Sequence, residues 1–234
     1  MARSGARSRG LFNTRERRAE RMRATDGTAL GEGAYNLTIG ATLTAGLALT
    51  AVLTNTLPSV FASLKVHPAV VLVVCLVLAI ASCIAINKSR TPILSGVGFL
   101  ALSVAMGALL AYALSVYSIR DIQTAVLVTG AITATMMLLA TVFPAFFRKL
   151  GVVLAIALIA DIAVGLIAAF VFHTYLGVLS WVGVVIFSLY IGYDWARAQE
   201  YPKTVNNAIV SAADVYVDII NLFLFILDVM GDSK

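Results

Sequence analysis

Two aspartates in the last quarter of the chain stand where chemistry is expected. Asp194 ends the run Phe187-Ser188-Leu189-Tyr190-Ile191-Gly192-Tyr193-Asp194, and Asp218 lies in Tyr216-Val217-Asp218-Ile219-Ile220-Asn221-Leu222-Phe223. Both fall inside long apolar stretches, where a charged side chain costs roughly 2.5–3.5 kcal/mol even on insertion scales. They are 24 residues apart, and the turn signal Pro202 to Asn207 lies midway between them. In an antiparallel helical hairpin, residues equidistant from the turn stand at equal depth, to within about one helical turn of ~5.4 Å. Two carboxyls facing each other in a poorly hydrated site cannot both ionise cheaply, so the pair is expected to share a proton and to titrate as a unit. Fully deprotonated, it would attract a divalent cation through hard oxygen ligands. That chemistry describes a pH-dependent latch or a cation site.

Other polar groups qualify this reading. Arg197 follows Asp194 by three residues and offers a local ion pair, while Asp218 has tyrosine and serine hydroxyls as alternative partners. Asn207, Ser211, Asp214, Asp218 and Asn221 advance by four, three, four and three, which sets them on one face of the last helix and marks it for the centre of a bundle. Asp214, one turn before Asp218, is expected either to tune it or to face a vestibule. Asp161 either lines the same cavity or bonds Thr129 or Thr133 on a neighbouring helix. His67 and His173 fall at the ends of apolar runs and have no partners spaced for a metal.

The elements that must position these groups are membrane helices. The chain is 60% apolar and 12% charged, with a mean hydropathy of +0.94, whereas soluble domains run near 45–50% and 25%. Continuous apolar runs require helices, because the bilayer offers backbone groups no partners and the runs are too long for barrel strands. Interruptions by charges and turn residues predict seven spans near 33–57, 66–86, 92–115, 121–143, 150–172, 177–199 and 206–229, with Pro58 and Pro68 bracketing the first turn. The last is expected to be the least apolar, so it either exits or re-enters. Gly40, Thr44 and Ala48 on the first span, and Ser103 and Gly107 on the third, have the spacing of close helix contacts. The short loops leave room for one domain, residues 30–230, after a basic tail over residues 1–29 that is expected to be disordered.

The net charge of +5 belongs to that tail, since Arg3, Arg7, Arg9, Arg15, Arg17, Arg18, Arg21 and Arg23 supply eight of the seventeen basic residues. Such an arm suits anionic lipid rather than nucleic acid. Placing the N-terminus in the cytoplasm puts those eight with Lys88, Arg90, Arg148, Lys149, Arg197 and Lys203 inside, and leaves Lys65, Arg120 and Lys234 outside. The positive-inside rule favours that orientation. Cys75 and Cys83 share one apolar run and read as lipid-facing or packing residues.

The Tyr193-Asp194 pair and the Tyr-x-Asp-x-Ile-Asn-Leu-Phe run at Tyr216 to Phe223, with their 24-residue separation, resemble the signature of the transmembrane Bax inhibitor motif family. The likeness is specific over the last fifty residues and looser over positions 30–230. It implies six helices around a central C-terminal one, and a pH-sensitive calcium leak gated by Asp194 and Asp218, with calcium as transported ion and no cofactor. Asp161, Asp214, Asn221 and Arg197 become candidate pore or supporting residues. Some relatives carry a basic residue in the second helix, whereas residues 66–86 have none, so any latch here uses another donor, such as Arg197, or none. Trp195 also replaces the small polar residue often found after the first aspartate.

Two other functions compete with a leak. A regulatory membrane subunit would use the arginine-rich tail to bind a protein partner. An intramembrane aspartyl protease would let the two acids activate water, but Asp218 is flanked by Val217 and Ile219 rather than glycine, and the expected Pro-Ala-Leu segment is absent. The reading adopted is therefore non-enzymatic. The arginine- and alanine-rich composition leans toward a bacterial plasma membrane.

Overall fold

A computed structural model describes residues 29–64, 67–174 and 176–231. The tail arginines, Lys65 and Lys234 lie outside the described residues. The described chain is helical, and seven of its helices are long and apolar enough to cross a membrane. They are α1 (Glu32–Leu64), α2 (Pro68–Lys88), α3 (Pro92–Ala113), α4 (Ile119–Val142), α5 (Gly151–Phe170), α6 (Gly177–Ala198) and α7 (Val205–Gly231). A single helical turn, Pro144–Phe147, links α4 to α5. The polytopic all-helical architecture is thus the one the apolar runs require.

Capping residues explain several of the starts. The Thr91 hydroxyl accepts from the Leu94 N–H at 3.4 Å ahead of Pro92, and the Ser118 hydroxyl accepts from the Asp121 N–H at 3.2 Å. The expected end of the first span is wrong: Pro58 lies within α1, which runs on to Leu64. Proline removes one hydrogen bond, and the Ser-Val-Phe-Ala-Ser run after it keeps the remaining ladder intact. The last helix is 27 residues long and more apolar than α1 or α6, which corrects the expectation that it is the weakest span. At 1.5 Å per residue it reaches about 40 Å, enough to cross.

Helix α7 is also the most buried element. Two thirds of its most apolar window (67%) is covered, against 50% for α3 and less elsewhere. It packs on α1, α3, α4 and α6, and more lightly on α2. Helix α5 leans mainly on α6. The core around it is Tyr35 and Ile39 of α1, Leu102 and Ala105 of α3, Ile191 of α6, and Val215, Tyr216 and Leu222 of α7 itself.

Small residues set the closest approach, but not where spacing alone placed them on α1. Gly107 fits: a Cβ there would stand 2.8 Å from the Leu53 Cβ and 3.3 Å from the Thr50 carbonyl oxygen. Gly40 has nothing near it, and Thr44 and Ala48 are exposed on the same side. The packed face of α1 is Leu43, Gly46 and Thr50, with Gly46 against the Phe99 ring. At the end of the bundle bearing the α6–α7 turn, the Leu30 N–H donates to the Lys203 carbonyl at 2.7 Å, the Tyr35 hydroxyl to the Ala198 carbonyl at 3.0 Å, and the Ser95 hydroxyl to Asn206 Oδ1 at 2.6 Å. These bonds tie the start of α1 and the α2–α3 turn to the base of the hairpin that carries the two aspartates.

Candidate functional site

Helices α6 and α7 pack along their lengths around the turn at 199–204, which brings Asp194 and Asp218 to one depth. Their carboxyls are close enough to interact directly. A carboxylate only accepts, so a hydrogen bond between two carboxyls needs one of them to carry the proton. Both line a cavity of about 190 Å³ together with Asp214, Ala213 and Val217 of α7 and Cys83, Ile86 and Asn87 of α2. Asp218 is buried, at 6% exposure, and its Oδ2 has no hydrogen-bond partner. The Asp194 side chain is 12% exposed and stands at the cavity's wetter edge.

The charges around the pair come from both walls. Arg197 Nη1 meets Asp194 Oδ1 at 3.3 Å, its Nε donates to the Tyr201 hydroxyl at 2.9 Å, and its guanidinium lies 5.4 Å from the Tyr193 ring and 5.8 Å from the Tyr201 ring. Its field also reaches Asp214 and Asp218. Tyr190 interacts with both Asp194 and Asp218, and Cys83 with Asp214. One guanidinium therefore faces three carboxyls, with the phenols of Tyr190, Tyr193 and Tyr201 and the Cys83 thiol as further titratable neighbours. The local ion pair from Arg197 and the acid pair, taken from the sequence as alternatives, coexist.

The remaining candidates separate. Asp214 is in the cavity wall. Asn221 is not among the residues that line it, and its amide donates to the Val217 carbonyl at 2.8 Å on its own helix. Asp161 is buried on α5, away from the cavity, and its Oδ1 has no partner. The hydroxyls of Thr129 and Thr133 likewise lack partners, so the expected bond to Asp161 does not form. Helix α5 packs mainly on α6, which directs its principal contact face away from those threonines. Further along the polar face, Ser211 approaches the Tyr35 hydroxyl at 3.4 Å, and the Asn207 amide donates to the Pro202 carbonyl at 3.0 Å. These serve the hairpin's base rather than the cavity. Trp195 points elsewhere, donating to the Thr141 hydroxyl at 2.9 Å.

Sequence reasoning missed the α2 wall. Cys83 is a cavity residue, not a lipid-facing one, and the signal was Asn87 one turn later, a polar residue on the same face. It also missed a second polar cluster at the other end of α7, where the Ser180 hydroxyl donates to Asp228 Oδ2 at 2.6 Å and the Tyr117 hydroxyl bonds the same carboxylate. Burial pushes the Tyr117 phenol up, and Asp228 adds to that through its charge and its hydrogen bond. At the base of the hairpin, burial lowers the Lys203 ammonium, an effect that Glu32 opposes. Its Nζ sits 4.5 Å over the Tyr35 ring.

Among the described residues no group of three or more His, Cys, Asp or Glu side chains is arranged to hold a metal ion. The site offers instead two carboxyls that meet at one cavity between α2 and the hairpin, with a third beside them. No curated protein matches the chain. The family described as "Inhibitor of apoptosis-promoting Bax1" matches residues 32–234, which takes in every helix described above. This multi-pass membrane protein belongs to the Bax inhibitor family.

Proposed function

We propose that the protein is a pH-sensitive calcium leak pathway in which the protonation of Asp194 and Asp218 sets conduction. The observation that carries this reading is the meeting of the two carboxyls from α6 and α7 at one cavity inside the membrane-spanning part. With a proton between them, the carboxyls hold the two helices together and present little charge. When that proton leaves, two carboxylates repel each other in a site of low polarity, with Arg197 beside Asp194 opposing the repulsion. The hairpin then has reason to part, and the same oxygens attract a hard divalent cation. Two carboxylates bind calcium weakly, as a passing ion requires.

Orientation follows the basic residues: the N-terminus and the cavity's Arg197 edge lie at the cytoplasmic face of a bacterial plasma membrane, with the tail against anionic lipid. No catalytic role is assigned to the acids. The test is calcium entry into proteoliposomes over pH 5 to 8, comparing wild type with Asp194→Asn and Asp218→Asn. The wild type should show entry that changes with pH, and each substitution should flatten the profile. An unchanged profile in Asp218→Asn would remove the pair from the mechanism.

A further inference from the structure

The polar face of α7 does not stop at Asn221. Continued by four and then three residues, it passes Phe225 and reaches Asp228. The face therefore reads acid pair, amide, aromatic ring, acid. Phe225 stands about 10 Å along the axis from Asp218, and Asp228 about 5 Å beyond that, at 1.5 Å per residue. Helix α6 answers each step in antiparallel register: Asp194 and Tyr190 face Asp218, Phe187 and Gly183 face Phe225, and Ser180 bonds Asp228.

The ring of Phe225 is held from two sides. It stacks on Phe187 with centroids 5.6 Å apart and planes 25° apart. It also lies directly over Gly183, where a Cβ would overlap the ring and stand 2.6 Å from its Cγ. Only a residue without a side chain lets Phe225 lie flat there. Phe187 in turn lies 6.0 Å from Tyr190, the phenol that interacts with both aspartates. An ion leaving the acid pair along the polar face meets this aromatic pair before it meets Asp228, and a constriction lined by rings excludes water and the hydrated ions that need it.

We propose that Phe225, seated on Gly183 and stacked on Phe187, is the hydrophobic barrier of the pathway, and that Asp228 with Ser180 and Tyr117 forms the mouth beyond it. This rests on the leak proposed above. The acid pair supplies the pH response, and Phe225 supplies the seal. Parting α6 from α7 at the carboxyls would draw Phe187 off Phe225, so one motion serves both.

The experiment uses the full chain in proteoliposomes, with calcium entry and thiol labelling read in parallel. Phe225→Ala and Phe225→Ser should raise calcium entry at the pH of least wild-type conduction by about tenfold or more, while Phe225→Leu, which keeps an apolar plug, should stay within about twofold of wild type. Gly183→Ala, which displaces the ring without removing it, should move entry in the same direction as Phe225→Ala. A membrane-impermeant thiol reagent applied from the Asp228 side, in a Cys75→Ala background, should leave Cys83 unlabelled in wild type and label it in Phe225→Ala. Melting profiles exclude variants that do not fold, and Gly183→Ala and Phe225→Leu keep the question answerable if Phe225→Ala does not. Wild-type entry in Phe225→Ser together with an unlabelled Cys83 would overturn the barrier. A wild type without pH-dependent calcium entry would overturn the leak, and the labelling would still report whether Phe225 seals the face.

Discussion

The bond between Thr50 and Tyr216 offers a quantitative check on how α7 is fixed in the bundle. Thr50 Oγ1 and the Tyr216 hydroxyl are 2.6 Å apart, with the two residues 3% and 0% exposed. Tyr216 also meets the Phe99 ring edge-on at 5.3 Å, and it stands two residues before Asp218. Each hydroxyl has a fallback: Thr50 reaches the Ser103 carbonyl at 3.4 Å, and Tyr216 has the Ser103 side chain. Tyr216→Phe and Thr50→Val therefore each remove the Thr50–Tyr216 bond without stranding the other partner. Measured hydrogen bonds between membrane helices average ~0.6 kcal/mol and reach ~1.7 kcal/mol. A short bond between two fully covered hydroxyls belongs toward the upper part of that range. Each single substitution should cost about 1 kcal/mol, close to a fivefold change in the folded-to-unfolded ratio, and the double-mutant cycle should return a coupling of about 1 kcal/mol. The assay is reversible unfolding in mixed micelles, titrated with denaturing detergent. A coupling under about 0.2 kcal/mol would show that the bond does not hold α7 to α1. A cost above about 3 kcal/mol for Tyr216→Phe alone would show that the hydroxyl does something this network does not contain.

Gly107→Leu should destabilise by about 1–3 kcal/mol, because the new side chain meets Leu53 and an immovable Thr50 carbonyl, whereas Gly40→Leu, with open space around it, should stay within about 0.5 kcal/mol. Thermal melts of the two in one detergent check the contrast. Among ion pairs, Arg148–Glu200 at 3.0 Å has side chains 39% and 21% exposed, and Arg197–Asp194 has 26% and 12%. Arg148→Met should therefore cost less than about 1 kcal/mol, with a salt-sensitive effect, and Arg197→Met should cost more and respond less to salt. Lys203 gives a pH signature. Its folded-state value is lowered, so the folded chain binds that proton less tightly than the unfolded chain does. The resulting penalty is present at neutral pH and is lifted as pH rises from the folded value toward the ordinary 10.5. Stability from this group should rise with pH across the alkaline window, and Lys203→Met should flatten that rise in melts taken between pH 8 and 10.5.

The sequence by itself determined the solvent, the number of spans and the depth of the two aspartates. Each is a one-dimensional property: apolar run length counts helices, and distance from the Pro202–Asn207 turn sets height in a hairpin. Only the tertiary structure decided which faces meet. Gly40, Thr44 and Ala48 have the spacing of a contact yet face outward, while Leu43, Gly46 and Thr50 pack. In water a buried face announces itself by being apolar, but in lipid both faces are apolar and that signal vanishes. The same loss hid Cys83 in the cavity wall and left Asp161 open to two readings, neither of which holds. The aromatic seat of Phe225 on Gly183 was invisible for a related reason: a glycine's neighbour is set by where another helix crosses it, and no spacing along one chain records that crossing.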